Sequence, residues 1–284
     1  MSELTRRIIF AVIAAPASIA IIYFGDWALT IVLSVLAALA AWELFRIARA
    51  TGATPLEPAG IALAALIPLA VHAQRLGLYT LSLTTLIALV LLLFASTIWL
   101  RGPSGRPLSS VAITSFGVLY SSLFSYVYAL RYHDYAVGAG AGTILVVLPI
   151  LLTWATDVGA YAVGRTMGSR KLIPSVSPGK TVEGALGGLA LAVVICLLYV
   201  KFLMMRYAQL AMTIQGAILF AIVVSVAAQT GDLAESLLKR EAGVKDSSRI
   251  IPGHGGILDR FDSLLFALPI AFLLLSKLLL PAPQ

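Results

Sequence analysis

Apolar residues run through the chain in long stretches broken by short polar turns, from residue 8 to residue 280. A helix that crosses a bilayer needs about 20 mostly apolar residues, within a range of roughly 17 to 25. Nine runs meet or approach that length: residues 8–24, 27–48, 59–73, 78–100, 108–130, 141–164, 184–203, 210–230 and 263–280. The third is short and contains Pro68, which points to a kinked or incomplete span. Continuous runs, instead of alternating segments of about ten residues, predict helices and not a barrel. The first run ends at Gly25-Asp26 without a small-x-small cleavage site, so it reads as a span and not as a removable leader. The expected fold is an all-α integral membrane protein, a polytopic bundle of about nine transmembrane helices with a polar cavity facing the cytoplasm.

Composition agrees with that solvent. Sixty per cent of the residues are hydrophobic, only 12% are charged, and the mean hydropathy is +0.98. A soluble domain carries about 25% charged residues. The single cysteine, Cys196, lies within an apolar run and rules out an intrachain disulfide. A net charge of +7 would suit nucleic acid in a soluble protein, but here the placement of the charges matters more than their sum, and no nucleic-acid partner is expected. With nine spans, fifteen of the 20 lysines and arginines fall on the side that carries the N-terminus. The positive-inside rule makes that side cytoplasmic, which predicts a multi-pass protein of the cytoplasmic (inner) membrane.

Two polar stretches interrupt the runs, residues 165–183 and 231–262, and both fall on the predicted cytoplasmic side. Of the 13 acidic residues, eight lie from Asp157 onward. Residues 1–140 therefore read as scaffold, Glu43 included, and residues 141–284 as the region that carries chemistry. Asp157 sits within the sixth run, where an ionisable group is costly unless it faces a polar cavity or a partner; pairing with Arg165 or Arg170 is the simpler alternative. Tyr161 follows four residues later, on the same helical face. Asp232, Glu235, Ser236 and Lys239 stand at i, i+3, i+4 and i+7, one stripe if the eighth helix continues beyond the membrane. A solvated charged face has the same spacing. Asp259, Asp262 and Ser263 repeat part of this pattern at the start of the last helix, where acids also complement the helix dipole.

Ahead of that helix, Gly253, Gly255 and Gly256 surround His254, a composition that suits either close backbone approach to an anion or a plain flexible loop. Asp232 and Asp259, near the two ends of the polar segment, are candidates to share a hard cation such as Mg²⁺. Lys239, Arg240, Lys245, Arg249 and Arg260 supply positive charge for a polyphosphate, and acids interleaved with bases suggest phosphoryl or nucleotidyl transfer. The other polar stretch contains Gly179-Lys180-Thr181, but the first glycine of a P-loop would fall at Pro174 and no strand precedes it. It reads as a short loop that brings Lys180 to a phosphate. His254 is not a zinc ligand, since the other histidines are His72 and His133 and no Cys/His cluster exists.

The run Ser236-x-Leu238-Lys239-Arg240-x4-Lys245-Asp246-x-Ser248-x2-Ile251-Pro252-x-His254-Gly255-Gly256-Ile257-x-Asp259-Arg260-Phe261-Asp262 resembles the signature of the phosphatidate cytidylyltransferase (CDP-diacylglycerol synthase) family. Asp157-x3-Tyr161-x2-Gly164-Arg165 and Ser177-Pro178-x-Lys180-Thr181-x-Glu183-Gly184 are also similar to it. The resemblance implies the reaction of CTP with phosphatidate to give CDP-diacylglycerol and pyrophosphate. It also implies Mg²⁺, with room for a second cation, and membrane enzymes that are often homodimers. On that footing Asp232 and Asp259 are expected to bind metal, with Asp157 and Asp262 as further ligands or supporting groups. Lys239, Arg240, Lys245 and Arg260 are expected to hold phosphates, and Ser236 and His254 to assist at the reacting groups. Tyr161, Ser177, Lys180, Thr181, Glu183, Gly255 and Gly256 are expected to line the substrate site. A transporter or channel is the first rival, but its acids would be distributed across the bilayer midplane. Another membrane transferase, such as a CTP-dependent polyprenol kinase or a cytidylyltransferase for an unusual lipid, is the second.

Overall fold

The computed structural model describes residues 3–251 and 255–282, and for residues 3–11 the backbone alone. The chain folds as two compact units that interleave along the sequence. One comprises Asp26–Tyr128 and Leu238–Arg260 with the residues up to Arg7, and the other Ile8–Gly25, Ala129–Leu237 and Phe261–Gln284. Among the described residues, eight helices are long and apolar enough to cross a membrane, and a shorter apolar stretch, Val12–Phe24, belongs to α1 (Glu3–Phe24). The hydropathy runs thus reappear as helices, and the all-α polytopic expectation holds.

In the first unit the helices are α2 (Asp26–Ala50), α3 (Glu57–Arg75), α4 (Leu83–Leu100) and α5 (Pro107–Ser122), followed by the start of α6 (Ser125–Arg131). Their packing turns on Phe45, which is fully buried. A Cβ added to Gly60 of α3 or Gly117 of α5 would lie only 2.5 or 2.3 Å from its ring, so both helices close on α2 because they present no side chain there. Leu56 N–H at the start of α3 donates to Thr114 Oγ1 of α5 (2.8 Å), which satisfies one of the amides a helix N-terminus leaves over. α3 is helical through Pro68, so the third span is continuous and of 19 residues. Ser82 caps α4 by accepting from Thr85 N–H (3.1 Å). Most of α4 is exposed, as suits a lipid-facing helix.

The second unit holds α7 (Gly138–Met167), α8 (Val182–Tyr199), a π-helical stretch Val200–Ala208, most of α9 (Ile214–Glu241) and most of α10 (Leu258–Leu278). α7 and α8 meet along glycines: a Cβ on Gly188 would stand 2.5 Å from Thr156 O, and one on Gly184 2.8 Å from Ala160 O. Small residues let membrane helices approach this closely, where van der Waals contact is the main source of association. α9 and α10 repeat the device at Gly231, whose added Cβ would lie 2.5 Å from Asp262 O. A buried hydrogen bond from Thr156 Oγ1 to Ser225 Oγ (2.9 Å) ties α7 to α9.

Two features were not anticipated. Residues 165–183 contain a hairpin of β1 (Lys171–Ile173) and β2 (Ser177–Thr181), antiparallel with Lys171 opposite Thr181. Beyond the π-helix, β3 (Leu210–Ala211) pairs with β4 (Leu280–Pro281), so the eighth helix starts at Ile214 and not at 210. α9 also runs on to Glu241. Its 28 residues span about 42 Å, some 12 Å more than the hydrocarbon layer, which carries its polar last turns beyond the apolar zone.

Candidate active site

In the second unit, α7, the hairpin, the start of α8 and α9 enclose a cavity of about 440 Å³. Asp157, Tyr161 and Arg165 line it from α7, Lys180 and Thr181 from β2, and Gln229 and Asp232 from α9. Lys180 Nζ lies 2.6 Å from Asp232 Oδ2, with the two side chains 28% and 34% exposed. Ser236 Oγ stands 3.5 Å from the other carboxylate oxygen of Asp232, a long hydrogen bond one turn along the helix. Tyr161 hydroxyl accepts from Arg165 Nη1 at 2.6 Å. An ion pair this exposed stabilises by no more than about 1 kcal/mol, so an incoming phosphate can take Lys180 at little cost.

The hairpin that delivers Lys180 is fixed locally. Glu183 accepts from Ser169 N–H (3.1 Å), Ser169 Oγ–H (2.7 Å) and Arg170 N–H (3.1 Å), which joins the exit of α7 to the first turn of α8. Thr181 is buried and caps α8 by accepting from Gly184 N–H at 3.1 Å. Ser177 pairs with Ile173 across the hairpin. Among these residues Lys180 faces the cavity with a charge, while Glu183 is occupied in holding the loop.

In the first unit a second polar network surrounds Asp259, near the start of α10. Asp259 Oδ1 accepts from Lys239 Nζ at 2.7 Å, and both side chains are largely buried, 7% and 14% exposed. Its Oδ2 accepts from Ser247 N–H (2.9 Å) and Gly256 N–H (2.8 Å), with Ser247 Oγ also at 2.9 Å. Gly255 adopts φ +83°, a conformation that favours glycine, and a Cβ there would meet Asp259 Oδ2 at 2.7 Å. Ile251 and Gly255 are bridged in antiparallel fashion (2.9 Å). Arg240, Lys245 and Arg260 are exposed. Asp262 accepts from Ser263 N–H (2.6 Å) and belongs to the second unit. His254 lies outside the described residues.

The residue that sequence reasoning passed over is Glu43. It is fully buried on α2, and its carboxylate accepts from Ser247 Oγ (2.9 Å), Ser248 Oγ (2.5 Å), Ile257 N–H (2.9 Å) and Leu258 N–H (2.7 Å). Arg46, three residues on, donates from Nη1 to Ser247 O at 3.1 Å. The signal was its position inside an apolar run, the same argument that singled out Asp157.

Among the described residues no three acidic, histidine or cysteine side chains cluster to hold a metal. Mg²⁺ does not require such a cluster, because it binds through one or two carboxylates together with substrate phosphates and water. Asp157 and Asp232 both line the cavity, Asp232 paired with Lys180, and could supply a donor set of that kind.

Comparison with known proteins places this chain in a family. A 171-residue stretch, 60% of this chain and 58% of the relative, is 44% identical to the phosphatidate cytidylyltransferase of Staphylococcus haemolyticus. The protein of that name from Bacillus subtilis is 48% identical over 126 residues, 44% of this chain and 45% of its own length. That from Haemophilus influenzae is 45% identical over 143 residues, 50% of this chain and 49% of its own length. The chain therefore matches between about half and three fifths of these relatives' lengths. The profile of the cytidylyltransferase family matches residues 5–278, and the chain belongs to that family.

Proposed function

We propose that the chain is a phosphatidate cytidylyltransferase, which joins CTP and phosphatidate to form CDP-diacylglycerol and pyrophosphate. The observation that carries this reading is the cavity in which Asp157, Lys180 and Asp232 converge in a chain of the cytidylyltransferase family. Relatives that bear the name share 44 to 48% identity with it.

The nucleophile in this reaction is the phosphate monoester of the lipid, already ionised near neutral pH, so no strong general base is needed. It attacks the α-phosphorus of CTP, the bond to the β-phosphate oxygen breaks, and pyrophosphate leaves with that electron pair. Catalysis then rests on in-line positioning and on neutralising the charge of the phosphates. Lys180 exchanges Asp232 for a phosphate oxygen, an exchange the exposure of the pair makes inexpensive. Asp157 and Asp232 would hold Mg²⁺, which when bound supplies positive charge to the phosphate oxygens. Asp259 would join a metal only by giving up donors it already holds. Lys245, Arg240 and Arg260, exposed at the signature segment, draw the triphosphate by charge. The bias of lysine and arginine towards the N-terminal side supports a cytoplasmic orientation for both polar segments.

The test is incubation of the purified protein with CTP, phosphatidate and Mg²⁺, followed by mass spectrometry of the lipids and measurement of pyrophosphate. CDP-diacylglycerol and pyrophosphate in equal amounts are expected. Pyrophosphate without the liponucleotide, or no dependence on CTP, would overturn the reading.

A further inference from the structure

Glu43 stands apart from every residue assigned so far, because it lies on an apolar helix more than 200 positions before the groups it binds. Its four donors come in two pairs. Ser247 and Ser248 approach from one end of the signature segment, Ile257 and Leu258 from the other. Each carboxylate oxygen takes one hydroxyl and one backbone amide: Oε1 accepts from Ser248 and Ile257, Oε2 from Ser247 and Leu258. The amides of Ile257 and Leu258 are those a helix N-terminus leaves unsatisfied, here at the start of α10. One side chain thus ties the segment's two ends together and caps the helix that follows.

Nothing smaller than this contact geometry explains Gly256. A Cβ there would lie 2.1 Å from Ser247 Oγ and 2.4 Å from Glu43 Oε1, so residue 256 must carry no side chain for the carboxylate to come this close. The link to Asp259 is direct. Ser247 Oγ is 2.9 Å from both Glu43 and Asp259, and its single proton serves one carboxylate at a time. Gly256 N–H, held beside Glu43, donates to Asp259. The approach of α3 and α5 to α2, by contrast, is set by Phe45 between Gly60 and Gly117.

We infer that Glu43 is a positioning residue of the signature segment: it touches no substrate, and it holds residues 245–251 and 255–260 in the arrangement in which they meet CTP. This rests on the proposed function for the role of CTP, but the geometric part does not. Losing the preset arrangement makes the nucleotide organise the segment itself, and that cost appears in its affinity.

The experiment uses full-length protein in detergent or nanodiscs carrying Glu43→Gln, which retains size but turns an amide N–H₂ towards backbone donors. Two readouts are taken. The first is tryptic cleavage after Lys245 and Arg249, which lie within the segment; its rate is expected to rise about tenfold as local opening becomes easier. The second is steady-state kinetics, where KM for CTP is expected to rise about tenfold while KM for phosphatidate stays within about twofold. Glu43→Asp keeps the charge but is a methylene short, and is expected to fall between. If Glu43→Gln does not accumulate, Ser248→Ala removes one donor and is expected to move both readouts in the same direction by less. Unchanged cleavage, whether with unchanged kinetics or with a fall in Vmax alone, would overturn the inference. Faster cleavage with an unchanged KM for CTP would support the positioning role and overturn the assignment of the segment to CTP. Absence of any CDP-diacylglycerol from the wild type would overturn the proposed function while the cleavage readout still decides on Glu43.

Discussion

The cavity of the second unit and the Asp259 network of the first both pair a lysine with an aspartate, yet the two pairs stand in opposite surroundings. Lys180 and Asp232 meet at 2.6 Å with about a third of each side chain exposed, on the wall of an open cavity. Lys239 and Asp259 meet at 2.7 Å, largely buried, with backbone amides and a serine on the same carboxylate. The first pair can trade partners when a ligand arrives. The second is held by several donors at once and has little exposure through which to exchange them. A distance alone does not distinguish an ion pair open to exchange from one embedded in a network; burial and the number of further donors do.

The comparison is broken most sharply at the buried pair. Asp259→Asn or Lys239→Ala is expected to lower stability by about 3–5 kcal/mol, because each removes one charge of a largely buried, hydrogen-bonded ion pair. Thermal unfolding in detergent measures this, and a loss below about 1 kcal/mol would place the pair with the exposed class. At the cavity the effect moves from stability to chemistry. Asp232→Asn is expected to reduce turnover on the order of a hundredfold or more, with a melting temperature close to that of the wild type. Next comes Lys180→Ala, expected to raise KM for CTP about tenfold while changing stability by less than about 1 kcal/mol. Equal losses of stability for Lys180→Ala and Lys239→Ala would abolish the distinction. The smallest effect is expected for Glu183→Gln, which loosens an exposed hairpin and should raise KM for CTP by only about two- to fourfold, each lost hydrogen bond contributing modestly in water.

The spans were legible because a membrane helix is a local property: length and hydropathy suffice, and nine runs located them. The stripe from Asp232 to Lys239 was legible too, since helical spacing is also local, and α9 does continue through it. The hairpin was not. Ser177-Pro178-Gly179-Lys180-Thr181 has neither alternation nor β-branched residues beyond Thr181, and the turn is held by Glu183 reaching back to Ser169 and Arg170. The glycines of the signature illustrate the deeper limit. Their freedom to admit a close neighbour could be read directly, but the neighbours of Gly255 and Gly256 are carboxylates of Asp259 and Glu43. Nothing local to residue 256 indicates residue 43. What did mark Glu43 was its depth in an apolar run, and that mark names a residue with a partner without naming the partner.

Glu43 also sets a calendar for biosynthesis. At roughly 5–20 residues per second, its helix is made on the order of 10–40 seconds before Ser247 and Leu258 leave the ribosome. Through that interval the carboxylate stands in an apolar helix without the donors it will later bind, a condition that favours helix ends near water or temporary partners. The signature segment then arrives and finds its acceptor already made. The contact at Glu43 is therefore completed only when residues 247–258 arrive, more than 200 residues after the carboxylate itself.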